Sequence, residues 1–242
     1  MSGTARLDRL LANLGYGSRN EVQQLVRRGA VVLDGVAAED ASKRIPITDD
    51  LPERMQVNGA PLDPLPGVAL MLHKPVGVTC SHKEAGSLVY DLLPSRWRRR
   101  DPALSTVGRL DKETSGLLLL TDDGALLHRI ISPKAHVAKH YVATLARPLQ
   151  GDEAARFASG TLMLEGEDKP LAPAIMETLS PTSARLIITE GRYHQVRRMF
   201  AAIGNHVALL HRDRIGALTL PADLGSGHYR AMNAADIAAI FA

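Results

Sequence analysis

The chain has 242 residues, 45% of them hydrophobic and 23% charged, with a formal net charge of +3. That suits one large domain or a small module joined to a mid-sized one, and it excludes disordered, collagen-like and disulfide-scaffold proteins. No apolar run reaches membrane-span length, "MSGTARLDRL" lacks the apolar stretch of a signal peptide, and one cysteine, Cys80, cannot close an internal disulfide; a cytosolic protein that is not membrane-bound is expected.

In chain order, residues 6–14 carry Leu7, Leu10, Leu11 and Leu14 on one helical stripe, stopped by Gly15 and Gly17. Ser18 and Glu21 form an S-x-x-E capping box that opens a second helix through Arg28, and "AVVLDG" predicts a strand and an Asp-Gly turn. Residues 46–67 hold five prolines and Asn58-Gly59, which predicts a boundary near 58–66, with 54–58 open to being a last short strand. Strands are predicted over 68–75, 115–121, 140–145, 184–190 and 206–212, and helices over 124–131 and 194–204, with Asn233 capping a final helix. Few crossover helices separate the strands. The expected fold is α+β: a small module over 1–60, then a domain over 61–242 with a mixed, mostly antiparallel sheet and flanking helices.

Arginines cluster in "LVRRG" (25–29), "SRWRRRD" (95–101), "EGRYHQVRRMF" (190–200) and "LHRDRIG" (210–216). Any one cluster suits a solvated face; all of them together, with aromatics beside them, point to a polyanionic partner.

Motif chemistry is sparse. His136 and His140 have i, i+4 spacing, but Pro133 and the following strand argue against a helix, and no C-x-x-C or H-E-x-x-H occurs, so no metal is expected. A phosphate-binding G-x-x-x-x-G-K-[ST] and a G-x-S-x-G elbow are absent, and "LGSGHYR" (224–230) is too short for a dinucleotide fingerprint. Cys80 and His82 sit two apart on an extended segment, and a nucleophile pair is not expected there. Carboxylates remain. Asp111 lies in "VGRLDKETSGLLLLTDDG" (107–124). Asp122 and Asp123 lie at the far end of a leucine strand about 20 Å long, too distant to share one sugar with Asp111. Spacing alone leaves Asp111 open as a turn residue or a functional carboxylate, with Glu113 open as a solvated neighbour.

"GRLDKETSGLLLLTDDG" resembles the catalytic signature of the ribosomal-RNA branch of the pseudouridine synthases. The resemblance continues in order through "MLHKPVGVTCS" (71–81), "HRIISPKAHVAKHYVATL" (128–145) and "EGRYHQVRRMFAAIGNHVALLHRDRIGALTL" (190–220), while "RLDRLLANLGYGSRNEVQQLVRRGAVVLDG" resembles an S4 RNA-binding domain. The last motif and the short C-terminus resemble the small-subunit branch of that family; a large-subunit target or a non-catalytic assembly factor are the alternatives. His73 stands where asparagine is frequent before the lysine-proline pair.

The resemblance implies isomerisation of uridine to pseudouridine in ribosomal RNA, with no cofactor and no metal, by a monomer that binds ribosomal RNA or a partly assembled small subunit. It assigns Asp111 as the catalytic carboxylate, Arg197 as its ion-pair partner, Tyr141 as the aromatic partner of a flipped base, and Arg109 as a group holding RNA or the vacated base position. Lys74, Lys139 and Arg192 are candidate RNA contacts, the lysines alternatively supporting the site. In the S4-like module, Arg6, Arg9, Arg19, Arg27 and Arg28 are candidate phosphate contacts.

Overall fold

The computed structural model describes residues 3–242 and divides into two compact units. The first gathers the stretch up to Val68 with two later pieces, Leu93–Ser105 and Thr121–Asp123; the second holds Ala69–Leu92, Thr106–Leu120 and Gly124–Ala242.

The first unit opens with strand β1 (Gly3–Arg6) and helices α1 (Leu7–Asn13) and α2 (Arg19–Arg27). The predicted capping box is formed: Ser18 Oγ accepts from the Glu21 amide and Glu21 Oε2 accepts from the Ser18 amide, an arrangement that stabilises a helix start by about 1 kcal/mol. Strands β2 (Val31–Leu33), β3 (Val36–Ala37), β4 (Arg44–Ile47), β5 (Met55–Val57) and β6 (Ala60–Pro61) follow, with helix α3 (Leu51–Arg54) between β4 and β5. Asp34 and Gly35 both have positive φ, as the predicted hairpin turn requires. β5, the optional strand of the sequence reading, pairs antiparallel with β2. Leu7, Leu10, Leu11 and Leu14 pack with Val22, Leu25 and Val26 in one buried cluster.

The later pieces are built into this unit by pairs of opposite charge. Arg96 donates to both oxygens of Asp63 at 2.6 Å, and Arg100 donates to Asp122 at 3.0 Å with both side chains buried. Gly15, at φ +88°, has no room for a Cβ because the carbonyl of Arg96 lies against it.

The second unit carries a nine-stranded mixed sheet. Its strands are β7 (Ala69–Lys74), β8 (Ser105–Thr106, entering from the first unit), β9 (Thr114–Thr121), β10 (Lys139–Leu145), β11 (Ile175–Ser180), β12 (Ser183–Ile188), β13 (Val207–Ile215), β14 (Leu218–Thr219) and β15 (Tyr229–Ala231). The order is β11-β12-β10-β13-β9-β7-β15, with β14 on β13 and β8 on β9. β13 and β9 are parallel, and β10 pairs antiparallel with both β12 and β13. Helices α4 (Gly124–Ile131), α5 (Glu153–Ala158), α6 (Gln195–Ala202) and α7 (Ala234–Ala239) flank it, and Asn233 caps α7 in a second capping box with Asp236.

Leu117 to Leu120 are buried on both sheet faces, so each contributes about 2 kcal/mol by leaving water. That makes β9 the rigid member from which the "GRLDKE" loop projects. Gly116 sits at φ +113° where any Cβ would strike the backbone of Arg212, its parallel neighbour in β13. The Thr-Ser-Gly of the motif therefore contains a glycine that close strand approach demands. Elements that the sequence does not predict are the short strands β1, β3, β4, β6, β8, β11, β14 and β15 and the helices α3 and α5. β11 has little burial along its length, hence no clear period-two pattern.

Candidate active site

The second unit contains a cleft of about 930 Å³, lined by the 107–114 loop, the start of β10, and the turn 188–196 that leads into α6. Its geometry begins with the backbone around Asp111. The Asp111 carbonyl accepts from the Thr114 amide at 3.0 Å, and the Lys112 carbonyl accepts from the Gly77 amide at 2.8 Å. The Glu113 carbonyl accepts from Arg197 Nη2 at 2.9 Å, and the Thr114 carbonyl accepts from Lys74 Nζ at 2.8 Å. Each consecutive carbonyl from 111 to 114 thus has a donor, and buried Leu110 anchors the loop from the other side. The loop is held by its main chain, and the Asp111 carboxylate is left to face the cleft.

Lys74 departs from one of its expected roles. It is fully buried and cannot contact a phosphate. Its ammonium donates to the carbonyls of Pro75, Lys112 and Thr114, which is the site-supporting alternative. Burial pushes its pKa below the usual lysine value, against the opposing charges of Cys80, Asp111 and Glu113. Proline after it stops β7 at this residue, so the side chain emerges where the strand ends beneath the loop.

The expected ion pair between Arg197 and Asp111 is not among the contacts of the described residues. Arg197 lies on α6 at the edge of the core as expected, but its guanidinium donates to the carbonyls of Val207 (2.8 Å) and Glu113 (2.9 Å). The two terminal nitrogens of its planar fork are each taken by one of these carbonyls. The basic group beside Asp111 is His194, whose Nε2 is 3.5 Å from Oδ1, with both side chains partly open to the cleft. The sequence alone did not single out this histidine; the available signal was its place three residues before Arg197 in "HQVR".

Tyr141 is buried with its ring on the cleft wall. Its hydroxyl accepts from Arg212 Nη1 at 3.3 Å, and Arg212 Nε donates to the Leu117 carbonyl at 2.8 Å. Arg212 is thus a buried brace that fixes Tyr141 to β9, a role the sequence reading missed by treating "LHRDRIG" as a phosphate cluster. Lys139 donates to the Val137 carbonyl and lines the cleft; burial, and then the charge of Arg212, lower its pKa. Arg109 is exposed at the cleft, 3.5 Å from Glu84.

Arg192 also departs from expectation. Its guanidinium donates to Glu190, Glu167 and the carbonyls of Lys169 and Pro170, so all three of its nitrogens are engaged within the protein. Arg198 is likewise engaged by Glu167 and by carbonyls. Much of the clustered positive charge that the sequence displays is internal bracing. In the first unit, Arg6 and Arg19 converge on buried Asp8, Arg28 donates to Asn58, and Arg9 and Arg27 are exposed. Hydrogen bonds from Arg6 foremost hold the Asp8 carboxyl at a pKa of about 2.

The other carboxylates that line the cleft are engaged, Glu84 by Arg109 at 3.5 Å. Glu190 lines the cleft but accepts from the Ala172 amide, Gln195 and Arg192. Cys80 is buried and His82 stacks on Tyr90 at 4.0 Å, so these form no nucleophile pair. Among the described residues no group of histidine, cysteine and acidic side chains is arranged to hold a metal ion. Among the described residues no helix is long and apolar enough to cross a membrane.

The cleft brings Asp111 and His194 together with Tyr141, which Arg212 braces. Residues 68–202 match the family model of RNA pseudouridylate synthase, and residues 5–51 match that of the S4 domain. The chain belongs to the RNA pseudouridine synthase family and carries an S4 domain. It is similar to the ribosomal small subunit pseudouridine synthase A of Escherichia coli K12, at 42% identity over 97% of this chain and 99% of that protein. The protein of that name from Pasteurella multocida is 39% identical over 96% and 98% of the two chains. A crystal structure described as a pseudouridylate synthase superposes with a TM-score of 0.67 at 37% identity, covering 97% of this chain and 99% of that one.

Proposed function

We propose that the protein converts a specific uridine of small-subunit ribosomal RNA to pseudouridine, with Asp111 as the catalytic carboxylate. The observation that supports this reading is the Asp111 loop: its carbonyls from 111 to 114 are engaged, and its carboxylate lines the cleft with His194 beside it. The small-subunit target rests on the names of the relatives that match over nearly the whole chain.

The reaction breaks the bond from C1′ to N1, turns the freed uracil and joins C1′ to C5. N1 gains a proton, the C5 hydrogen leaves as a proton, and no atom is lost from the nucleotide. One carboxylate serves for this, either by forming an adduct at the sugar or by stabilising and deprotonating a glycal-type intermediate. The balance calls for no cofactor. The target base leaves its stack to reach Asp111, and Tyr141 supplies a flat surface for it. Arg212 keeps that ring in place, Lys74 and Arg197 keep the loop in place, and Arg109 contacts RNA at the cleft. Lys139 closes the cleft near Tyr141.

Residues 1–60 are the S4 module and 61–242 the catalytic domain in this reading. Exposed Arg9 and Arg27, together with Arg6, Arg19 and Arg28, hold phosphates and set position, while RNA shape and unpaired bases select the uridine. The protein acts as a cytosolic monomer on ribosomal RNA or a partly assembled small subunit.

Release of tritium from C5-labelled uracil in small- and large-subunit RNA tests this. Release from small-subunit RNA without free uracil, lost in Asp111→Asn, is the expected result. Free uracil would mean hydrolysis, turnover of large-subunit RNA alone would move the target, and no turnover on any ribosomal RNA would make the protein a binder.

A further inference from the structure

The turn from Glu190 to Gln195 is braced from within. Buried Gln195 accepts from the Arg192 amide at 2.8 Å and donates to Glu190 at 2.8 Å, and Glu190 also accepts from the Ala172 amide at 3.1 Å. Arg192 then ties the turn to Glu167 and to the carbonyls of 169 and 170. His194 adopts a left-handed backbone conformation at φ +49°, a strained state for a non-glycine residue that persists where its surroundings impose it. These restraints lift Tyr193 out of the protein. It is 75% exposed, the most exposed of the large apolar side chains on the cleft wall. Its inner face lies on the His194 ring at 3.9 Å with 17° between the planes, and His194 reaches Asp111.

An aromatic ring held rigidly in water beside a catalytic carboxylate has one open face. A uridine that leaves its stack also strips a stacking partner from its neighbours in the strand. Unpaired bases are commonly recognised by stacking on exposed aromatic rings, at about 1–3 kcal/mol per base. We propose that the outer face of Tyr193 is a stacking subsite for the unpaired base next to the target uridine, and that its occupation presses His194 against Asp111. The subsite takes any nucleobase, since every base has a π-face; it positions the strand and leaves sequence choice to other contacts. This rests on the reading of the cleft as the site of uridine isomerisation.

Two measurements test it. In the first, the substitution Tyr193→Trp places an indole at the subsite, with the single native tryptophan, Trp97, buried as a constant background. Saturating oligouridylate should quench the introduced indole, and an abasic ribose-phosphate chain of equal length, bound to the same occupancy, should not. Equal quenching by both, or none with bound oligouridylate, overturns the subsite. In the second, Tyr193→Ala should lower kcat/KM for tritium release by about tenfold, Tyr193→Phe should stay within about threefold of native, and an abasic nucleotide beside the target uridine should cost Tyr193→Ala little more. Independent, multiplying losses overturn the proposal. If the native protein isomerises no ribosomal RNA, the functional reading fails and the quenching measurement still decides the subsite.

Discussion

The two units engage their cations in opposite ways. In the first, arginines meet carboxylates: Arg6 and Arg19 on Asp8, Arg96 on Asp63, Arg100 on Asp122. In the second, the cations behind the cleft meet backbone carbonyls: Lys74 on residues 75, 112 and 114, Arg197 on 113 and 207, Arg212 on 117. A carboxylate cancels a positive charge, whereas a carbonyl dipole solvates it and leaves it uncancelled. The first arrangement joins distant pieces of chain. The second fixes a loop while keeping positive potential around Asp111, where a polyanion must approach.

Substitutions sharpen that contrast. Asp111→Asn should lower turnover at least about a thousandfold with the thermal midpoint and RNA affinity near native, measured by tritium release, calorimetry and filter binding. Asp122→Asn should do the reverse. It strips the partner of buried Arg100 and should destabilise the fold by about 3–5 kcal/mol, read as a shift in the urea midpoint, while kcat at low temperature changes little. Lys74→Met should lower kcat on the order of a hundredfold by loosening the loop, with KM nearly unchanged; a parallel rise in KM would place Lys74 in binding. Arg197→Ala should cost about tenfold in kcat, because Glu113 alone among the loop carbonyls loses its donor, and should spare RNA affinity; equal losses in both would sink the positioning role.

The smallest expected effect is one of pH. Asp8 has its folded pKa lowered from the ordinary aspartate value to about 2. Its contribution to stability is therefore fully present above about pH 4 and is lost as pH falls through 2. Asp8→Asn should remove that part of the acid-limb slope and cost about 1–2 kcal/mol at neutral pH, measured by urea unfolding at pH 5 and pH 3. An unchanged slope would show that the pair with Arg6 and Arg19 adds nothing.

Legibility in the sequence followed the range of the signal. The Ser18 and Asn233 caps, the leucine stripe of α1 and the buried β9 depend on neighbours a few residues apart, and each appeared where expected. Arginines were legible in number and not in direction. "SRWRRRD" turns Arg96 and Arg100 inward to Asp63 and Asp122, which are 33 and 22 residues away. Nothing within the cluster marks those two from exposed Arg99. The partner of Asp111 shows the same limit, for His194 and Arg197 are one helical turn apart on the motif, and both are basic.

By itself the sequence determined the longer core elements, the order of the motifs and, through resemblance, the family and its candidate carboxylate. Those depend on local periodicity, capping and turn chemistry. The tertiary structure decided which charges face the cleft. It sent Lys74, Arg192 and Arg197 to carbonyls and carboxylates within the protein, left Asp111 to His194, and raised Tyr193 into the cleft. The physical reason is that a buried cation must find an oxygen, and which oxygen lies within about 3 Å is set by how strands and loops far apart in sequence meet.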